Sequence, residues 1–295
     1  MASHPFKIGM LTCQRFPQLY GADQALCANL HHRGVDAHPV IWDDPNLDVT
    51  AWDLLIFRNT WDYFEKKEAF FQFLVELEEK AIPTLNPLSV ISKNLHKFYL
   101  KDVEPYFKLI PTCFLEAAPV VDLHGLLPVD WDYFVIKPAV SAGAYQTSIF
   151  NKNEIEKALD LYAEKFKKED WLVQKFLPQI KTSGEVSMVF IQNEFSHAVR
   201  KTPKEGDFRV QSMFGGQYET YRPTSKLINQ AFNYLKTIEH NLLFARFDGV
   251  MDGDEFLLME IEMIEPDLYF EFSPTIITSL TEAILHQINI ICNKK

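Results

Sequence analysis

The chain has 295 residues, 47% of them hydrophobic and 14% aromatic, with 29 basic residues against 40 acidic ones and a net charge of −11. That apolar content suffices for packed cores and excludes a disordered chain, and the length allows two or three domains or one elaborate α/β domain. The acidic balance argues against a general nucleic-acid or anionic-membrane surface, which needs clustered Lys and Arg, but leaves room for a small anionic ligand in a locally basic pocket.

The cysteines, Cys13, Cys27, Cys113 and Cys292, are scattered without a CxxC pair, which speaks against a disulfide framework and a zinc site. The apolar run at the N-terminus is too short for a signal peptide, and no stretch approaches the roughly 18 apolar residues of a spanning helix. The expected class is an acidic protein of a reducing compartment, most simply the cytoplasm.

Residues 7–13 read as a first strand and 18–33 as a helix closed by Gly34, glycine being favoured just past a helix end. "VDAHPVIW" and "WDLLIF" follow as strands, 65–80 as an amphipathic helix and "IPTLN" as a short strand, the alternation of an open α/β sheet. A helix from Ser89 carries Lys97 and ends near Pro105. Strands are expected around "IPTCFL" and "DYFVIKPA", a charged helix over 153–168, and a strand in "WLVQKFLPQI" that runs into a Pro-containing connector. "GEVSMVFIQNEFSHAVRKT" predicts a hairpin turning at 192–194. "KEGDFRVQSMFGGQY" reads as loop, 225–241 as a helix, "FARFDGVMDGDEFLLMEIEMIEP" as a second hairpin turning at 252–254, and about 274–291 as a last helix.

The second hairpin carries the most chemistry. Glu260 and Glu262 lie two apart and leave the same face of a strand, and pairing can bring Asp248 toward that face. Three carboxylates among apolar residues are costly to bury unpaired, and a hard cation such as Mg2+ removes the cost; a solvated acidic face is the alternative. Arg246 shares the face of Asp248 and either orients a substrate anion or pairs with the same acids. Lys137 precedes the small-residue run that starts at Ser141 and contains Gly143, where close backbone N–H groups and a lysine suit a phosphate. Neither common phosphate-loop pattern is present, and a surface lysine before a turn is the simpler reading of that stretch alone.

The strand end Gln174-Lys175-Phe176-Leu177 offers backbone groups to an adenine edge, and Glu185 can accept hydrogen bonds from ribose hydroxyls; a generic strand end is the alternative. His197, Arg200, Lys201, Lys204 and Arg209 form a local basic patch that suits an anionic ligand or, alternatively, ordinary salt bridges at a hairpin end. Arg58 and Asp62 lie just past the C-terminal end of a strand, where open α/β sheets place ligands. They either clamp the carboxylate and amine of an amino acid or belong to a helix-initiating loop with Asp as cap.

The order of these features along the chain resembles the layout of the ATP-grasp ligases from about residue 89 to 266. "FRNTWDYF", "LNPLSVISKNLHKFYL", "FSHAVRKTPKEGDFRVQ" and "MEIEMIEPDLYF" are similar to the glutathione-synthetase-like branch that includes the D-cycloserine-forming ligase. The resemblance implies an α/β (α+β) ATP-grasp fold: an N-terminal open α/β domain over 1–88, a central subdomain with a phosphate lid over 89–175, and a C-terminal subdomain with the Mg2+ site over 176–295. It also implies roles for single residues. Lys97 and Lys137 contact the nucleotide phosphates, and 141–147 form the lid. Residues 174–177 are the adenine hinge, and Glu185 is the ribose acid. Arg200 or Lys201 reaches the γ-phosphate, Arg246 with Arg209 stabilises the reacting group, and Asp248, Glu260 and Glu262 hold Mg2+.

Two positions depart from the usual pattern. Glu262 stands where many members have Asn, and the lid has a single glycine, with Tyr145-Gln146 where Arg-Gly is common. The implied activity is ATP- and Mg2+-dependent carboxylate–amine ligation of a small amino-acid-like substrate through an acyl phosphate, Mn2+ being the alternative cation. A small-molecule kinase using the same nucleotide site and a catalytically weak ATP-binding homologue stay open as alternatives. No nucleic-acid or membrane partner is expected, and a homodimer is left open.

Overall fold

The computed structural model describes residues 6–207, 209–210 and 215–293. Strands β1 (Lys7–Thr12), β2 (Asp36–Ile41), β3 (Leu54–Asn59) and β4 (Thr84–Leu85) form a parallel sheet in the order β2-β1-β3-β4. Helices α1 (Ala22–His32) and α2 (Lys67–Glu79) make its crossovers. β1 and β3 bury nearly every side chain because both faces of the sheet are covered. The helix expected over 18–33 starts only at Ala22, because Leu19 and Gly21 take φ of 67° and 51°, which an α-helix cannot include. The preceding residues instead make two turns, from Phe16 N–H to Cys13 O (2.9 Å) and from Leu19 N–H to Phe16 O (2.9 Å).

The helix expected from Ser89 to Pro105 is broken. After α3 (Leu88–Leu95), His96 is extended at φ −104° and ψ 111°, a 3-10 turn covers Lys97–Tyr99, and α4 (Leu100–Val103) follows. The break lets Lys97 N–H donate to Ala139 O at 2.9 Å, which ties the turn to the second sheet. That sheet is antiparallel, in the order β5-β8-β6-β7, from β5 (Thr112–Leu115), β6 (Tyr133–Pro138), β7 (Ser148–Asn151) and β8 (Trp171–Lys175). Helices α5 (Leu123–Leu126) and α6 (Ile155–Phe166) cover one face through Leu123, Tyr162 and Phe166, packed with Phe134 and Trp171.

The Pro-containing connector after β8 coils into α7 (Gln179–Ser183). The third sheet, in the order β11-β10-β9-β12-β13, is antiparallel and contains β9 (Glu185–Ile191), β10 (Glu194–Thr202), β11 (Gln217–Tyr221), β12 (Phe244–Asp252) and β13 (Glu255–Glu262). The first hairpin turns at Gln192 and Asn193, both at positive φ (50° and 63°), as a two-residue hairpin loop requires. β11 begins at Gln217, within the last two residues of the stretch 204–218 expected to be loop; residues 208 and 211–214 of that stretch lie outside the described residues. Helix α8 (Ser225–Leu235) buries Leu227, Ala231 and Leu235 against Met188 and Phe247 of the sheet.

The final helix, α9 (Ile276–Cys292), does not stay with the third sheet. It packs along α1, where Thr281 Oγ1 donates to Asn29 Oδ1 at 3.0 Å, and its Leu280 and Ile284 join a core shared by Ile8, Leu26, Val189 and Phe244. The first and third sheets are therefore welded through one apolar cluster. No helix among the described residues is long and apolar enough to cross a membrane.

Candidate active site

One cavity of about 630 Å³ opens where the three sheets meet. The break after α3 aims Lys97 into it, and β6 supplies Lys137; both are buried. Lys97 pairs with Glu260 at 2.6 Å and donates to Ser141 O at 2.5 Å. Lys137 has no salt bridge among the described residues. Burial pushes its ammonium pKa down, and the neighbouring Lys97 adds to this against the pull of Glu260. Two buried lysines on one space, one short of a counter-charge, suit a polyanion.

The acidic wall is the second hairpin. Register places Asp248 opposite Glu260 and Arg246 opposite Glu262. Arg246 Nε donates to both Asp248 oxygens at 3.0 Å, and Nη2 donates to Asp248 at 2.7 Å and to Glu262 at 2.5 Å. Its Nη1 donates to Asp267 O at 2.9 Å, and the guanidinium stands over the Tyr269 ring at 5.2 Å. Ser187 also donates to Asp248, and Lys201 Nζ lies 3.8 Å from it. Burial works against the Asp248 charge, yet Arg246 and Lys201 hold its carboxyl down to about 2. Glu262 is pushed up to about 8 by burial and by repulsion from Asp248, Glu260 and Glu265, against Arg246. Glu265 is pushed up to about 7, again by burial first and then by Glu260, with Lys97 opposing.

Those two raised carboxyls mark more buried acid than the local cations offset. Among the described residues no three Asp, Glu, His or Cys side chains form a ready-made cation cage. Mg2+ typically takes one or two protein carboxylates and completes its shell with phosphates and water, so Asp248, Glu260 and Glu262 fit it as hard oxygen donors in an acid-rich pocket.

β13 ends the third sheet, which leaves its outer backbone edge open. The backbone of residues 108–110 covers it at Leu258, with Ile110 N–H donating to Leu258 O and Leu258 N–H to Lys108 O, each at 2.9 Å, and three side chains cover the stretch beyond. Asn94 donates to Ile261 O and accepts from Met263 N–H, each at 2.8 Å; Tyr99 OH donates to Ile261 O at 2.7 Å. Asn86 donates to Met263 O at 2.7 Å and to Phe244 O at 2.9 Å. These bonds hold the backbone on both sides of Glu262. A β-bulge follows Asp248, and Gly249 is required there because a Cβ would collide with Leu257 O and the Phe256 ring.

At the other end, Gln174, Lys175 and Phe176 line the cavity with Val135 and Met259. Gln174 Nε2 donates to Thr112 Oγ1 at 2.9 Å, and Lys175 pairs with Asp130 at 2.7 Å. Leu177 lies beneath this wall, packed with Ile110, Val250 and Leu257, and does not line the cavity. Glu185 is buried against Lys201; burial raises its carboxyl against the opposing pull of that lysine. The loop 141–147 folds into successive turns, Tyr145 N–H to Ala142 O (3.0 Å) and Thr147 N–H to Ala144 O (3.1 Å), with Gly143 at φ 58°. Its Tyr145 ring rests 4.7 Å from Phe64, which lies between β3 and α2.

Strand parity settles which member of the Arg200-Lys201 pair enters the cavity. Lys201 faces it, whereas Arg200 points to the opposite side of β10, pairing with Glu219 at 3.6 Å and standing over Tyr221. Arg209 lines the cavity and bonds Asp207 at 2.8 Å. Arg58 and Asp62 are not brought there. Arg58 is 1% exposed, bonding Asp23 at 2.7 Å and Pro266 O at 3.2 Å, and Asp62 accepts from Trp42 Nε1 at 2.7 Å and pairs with Lys66 at 2.8 Å. They brace the loops behind the cavity wall. Sequence reasoning passed over Glu265, since it lies beyond the end of β13 where period-two logic no longer applies. It also passed over the clamps Asn86, Asn94 and Tyr99, whose partners are remote in sequence.

Residues 8–86 match the family described as the N-terminal domain of D-cycloserine synthetase DcsG, and residues 127–268 match the prokaryotic glutathione synthetase ATP-grasp domain. The cycloserine biosynthesis protein DcsG of Streptomyces lavendulae is 23% identical over 255 residues, covering 81% of this chain and 85% of that protein. The crystal structure of D-cycloserine synthetase DcsG superposes with a TM-score of 0.83 at 20% identity, over 95% of this chain and 99% of that one. D-alanine–D-alanine ligase from Bacillus anthracis complexed with ATP superposes with a TM-score of 0.67 at 11% identity, over 98% and 100% of the two chains. The chain belongs to the ATP-grasp ligases, which use ATP and Mg2+, and joins an N-terminal domain of the D-cycloserine-synthetase type to an ATP-grasp domain of the glutathione-synthetase type.

Proposed function

We propose that this chain is an ADP-forming carboxylate–amine ligase that activates a small amino-acid-like substrate as an acyl phosphate. The observation that carries the reading is the single cavity in which the buried Lys97 and Lys137 meet Asp248, Glu260 and Glu262, with Arg246 between two of the acids. In this reading the 174–176 wall takes the adenine, Glu185 the ribose and the two lysines the phosphates. Asp248, Glu260 and Glu262 hold Mg2+, which when bound neutralises charge on the phosphate oxygens.

An acceptor carboxylate oxygen attacks the γ-phosphorus, the bond from that phosphorus to the β–γ bridging oxygen breaks, and ADP leaves with the electron pair. An amine nitrogen then attacks the acyl carbon, the bond from that carbon to the phosphate oxygen breaks, and inorganic phosphate departs while the amine sheds a proton. Lys97, Lys137 and Lys201 balance the charge of the transferring group, and Arg246 and Arg209 donate to the oxyanion that develops. The 141–147 loop shields the acyl phosphate from water.

The test is ADP release across a panel of D- and L-amino acids and their derivatives, with hydroxylamine present. Substrate-dependent ADP accompanied by a hydroxamate, both lost in Glu260→Ala, is the expected result. ADP accompanied by a stable phosphorylated product and no hydroxamate would make the chain a kinase.

A further inference from the structure

The cavity extends beyond the acidic hairpin to a wall built by the first sheet, which the nucleotide assignments above do not use. It comes from the β1–α1 loop and the segment after β3: Arg15, Phe16, Tyr20, Trp61 and Phe64. Phe16, Tyr20 and Trp61 meet edge-to-face in a closed trio, with centroids 5.0, 5.5 and 5.3 Å apart. The loop is held from behind. Thr12 Oγ1 donates to Phe16 O at 2.7 Å, Tyr20 N–H donates to Asn59 Oδ1 at 2.9 Å, and Asn59 donates to Asp23 at 3.0 Å. Arg58 braces the same Asp23, and Trp61 Nε1 donates to Glu265 O at 2.8 Å, fixing the trio against the catalytic segment.

Arg15 is the exposed cation on this wall, and among the described residues it has neither a salt bridge nor a side-chain hydrogen bond. Every other cation of the cavity has an anionic partner already named, with one exception, Lys137. Two uncommitted cations on different walls call for two anions. Lys137, beside Lys97 and the lid, is placed for the phosphates. Arg15 lies in the loop that carries the aromatic trio, on the first-sheet wall of the same cavity, where a guanidinium can take a carboxylate in a bidentate grip.

We propose that Arg15, with the Phe16–Tyr20–Trp61 wall, is the subsite for an anionic group of the acceptor substrate other than the carboxylate that is activated. The proposal rests on the ligase reading for the word acceptor, and it narrows the substrate class to small amino acids or their derivatives that carry a second carboxylate or an equivalent anion. Glu65, Glu265 and Asp267 on the same stretch of wall suit the ammonium group of such a substrate.

The experiment is calorimetric titration of the full chain, saturated with Mg2+ and the non-hydrolysable analogue AMP-PNP, with isosteric pairs differing only in charge: D- and L-aspartate against asparagine, and D- and L-glutamate against glutamine. The acidic member of at least one pair binds about tenfold tighter than its amide, the scale of one charge-assisted contact. Arg15→Gln brings that ratio near one without changing AMP-PNP affinity, and Arg15→Lys keeps part of it. Equal binding of acid and amide, a ratio that survives in Arg15→Gln, or no binding by either member of any pair overturns the subsite. The hydroxamate assay judges the ligase reading separately: a hydroxamate without charge discrimination removes the subsite alone, and discrimination without a hydroxamate removes the ligase reading alone.

Discussion

Arg246 balances two carboxylates, Asp248 and Glu262, on a wall that already holds more acid than its cations offset. Removing one partner of a buried ion pair leaves charge without compensation, which typically costs about 3–5 kcal/mol. Arg246→Met is therefore expected to lose about that much in urea unfolding and to abolish ADP release; a loss under about 1 kcal/mol would mean that the acids are neutralised in another way. Gly143 illustrates a different constraint. Its φ of 58° is outside the range open to proline, which holds φ near −65°. On the proposed lid role of 141–147, Gly143→Pro should lower kcat by about tenfold or more with little change in unfolding free energy, since the position is an exposed turn. An unchanged kcat would remove 141–147 from that role.

At the scale of elements, the 141–147 loop and β10 each rest on a contact from another part of the chain. The Tyr145 ring of the 141–147 loop packs on Phe64. Aromatic pairs contribute about 0.5–1.5 kcal/mol beyond their burial, so a double-mutant cycle of Tyr145→Ala and Phe64→Ala on kcat/KM should show a coupling of that size. No coupling would make the contact incidental. His197 on β10 is buried, donates through Nε2 to Leu268 O at 3.0 Å, and has its pKa lowered, burial being the main cause. A histidine with a depressed folded pKa favours folding while neutral. Its contribution is thus present above the unfolded value near 6.5 and lost as pH falls below it. Thermal melts between pH 7.5 and 5 should show a steeper acid decline for the native protein than for His197→Asn; parallel curves would show that the ring titrates freely.

For the whole molecule, the terminal helix is the decisive element. α9 closes the core that joins the first and third sheets, and Leu280 in it is fully buried. Leu280→Ala is expected to destabilise by about 2–5 kcal/mol, the usual cost of such a truncation. It should also weaken AMP-PNP binding near the melting midpoint, because the cavity is assembled from both sheets. Asn86 acts on the same seam by satisfying Phe244 and Met263, backbone groups 158 and 177 residues away. A destabilisation of the first sheet alone, with nucleotide binding intact at the midpoint, would show that the sheets unfold independently.

What the sequence determined by itself was local. The alternation of the two hairpins placed Glu260 and Glu262 on one face with Asp248 near, because side-chain direction in a strand repeats every two residues. Glycine and turn residues marked element ends, and the order of Lys97, Lys137, Glu185 and the three acids resembled the ATP-grasp layout, which implied a nucleotide site. Tertiary structure alone decided which charges were already spent. Arg58 near the end of β3 and Arg15 just past β1 look alike in sequence, yet Arg58 is consumed by Asp23 and by Pro266 O, 208 residues away, while Arg15 has no salt bridge among the described residues. The break at His96, the choice of Lys201 over Arg200 and the return of α9 to α1 have the same origin. Burial and charge compensation are sums over neighbours that the fold supplies, and no local pattern contains them.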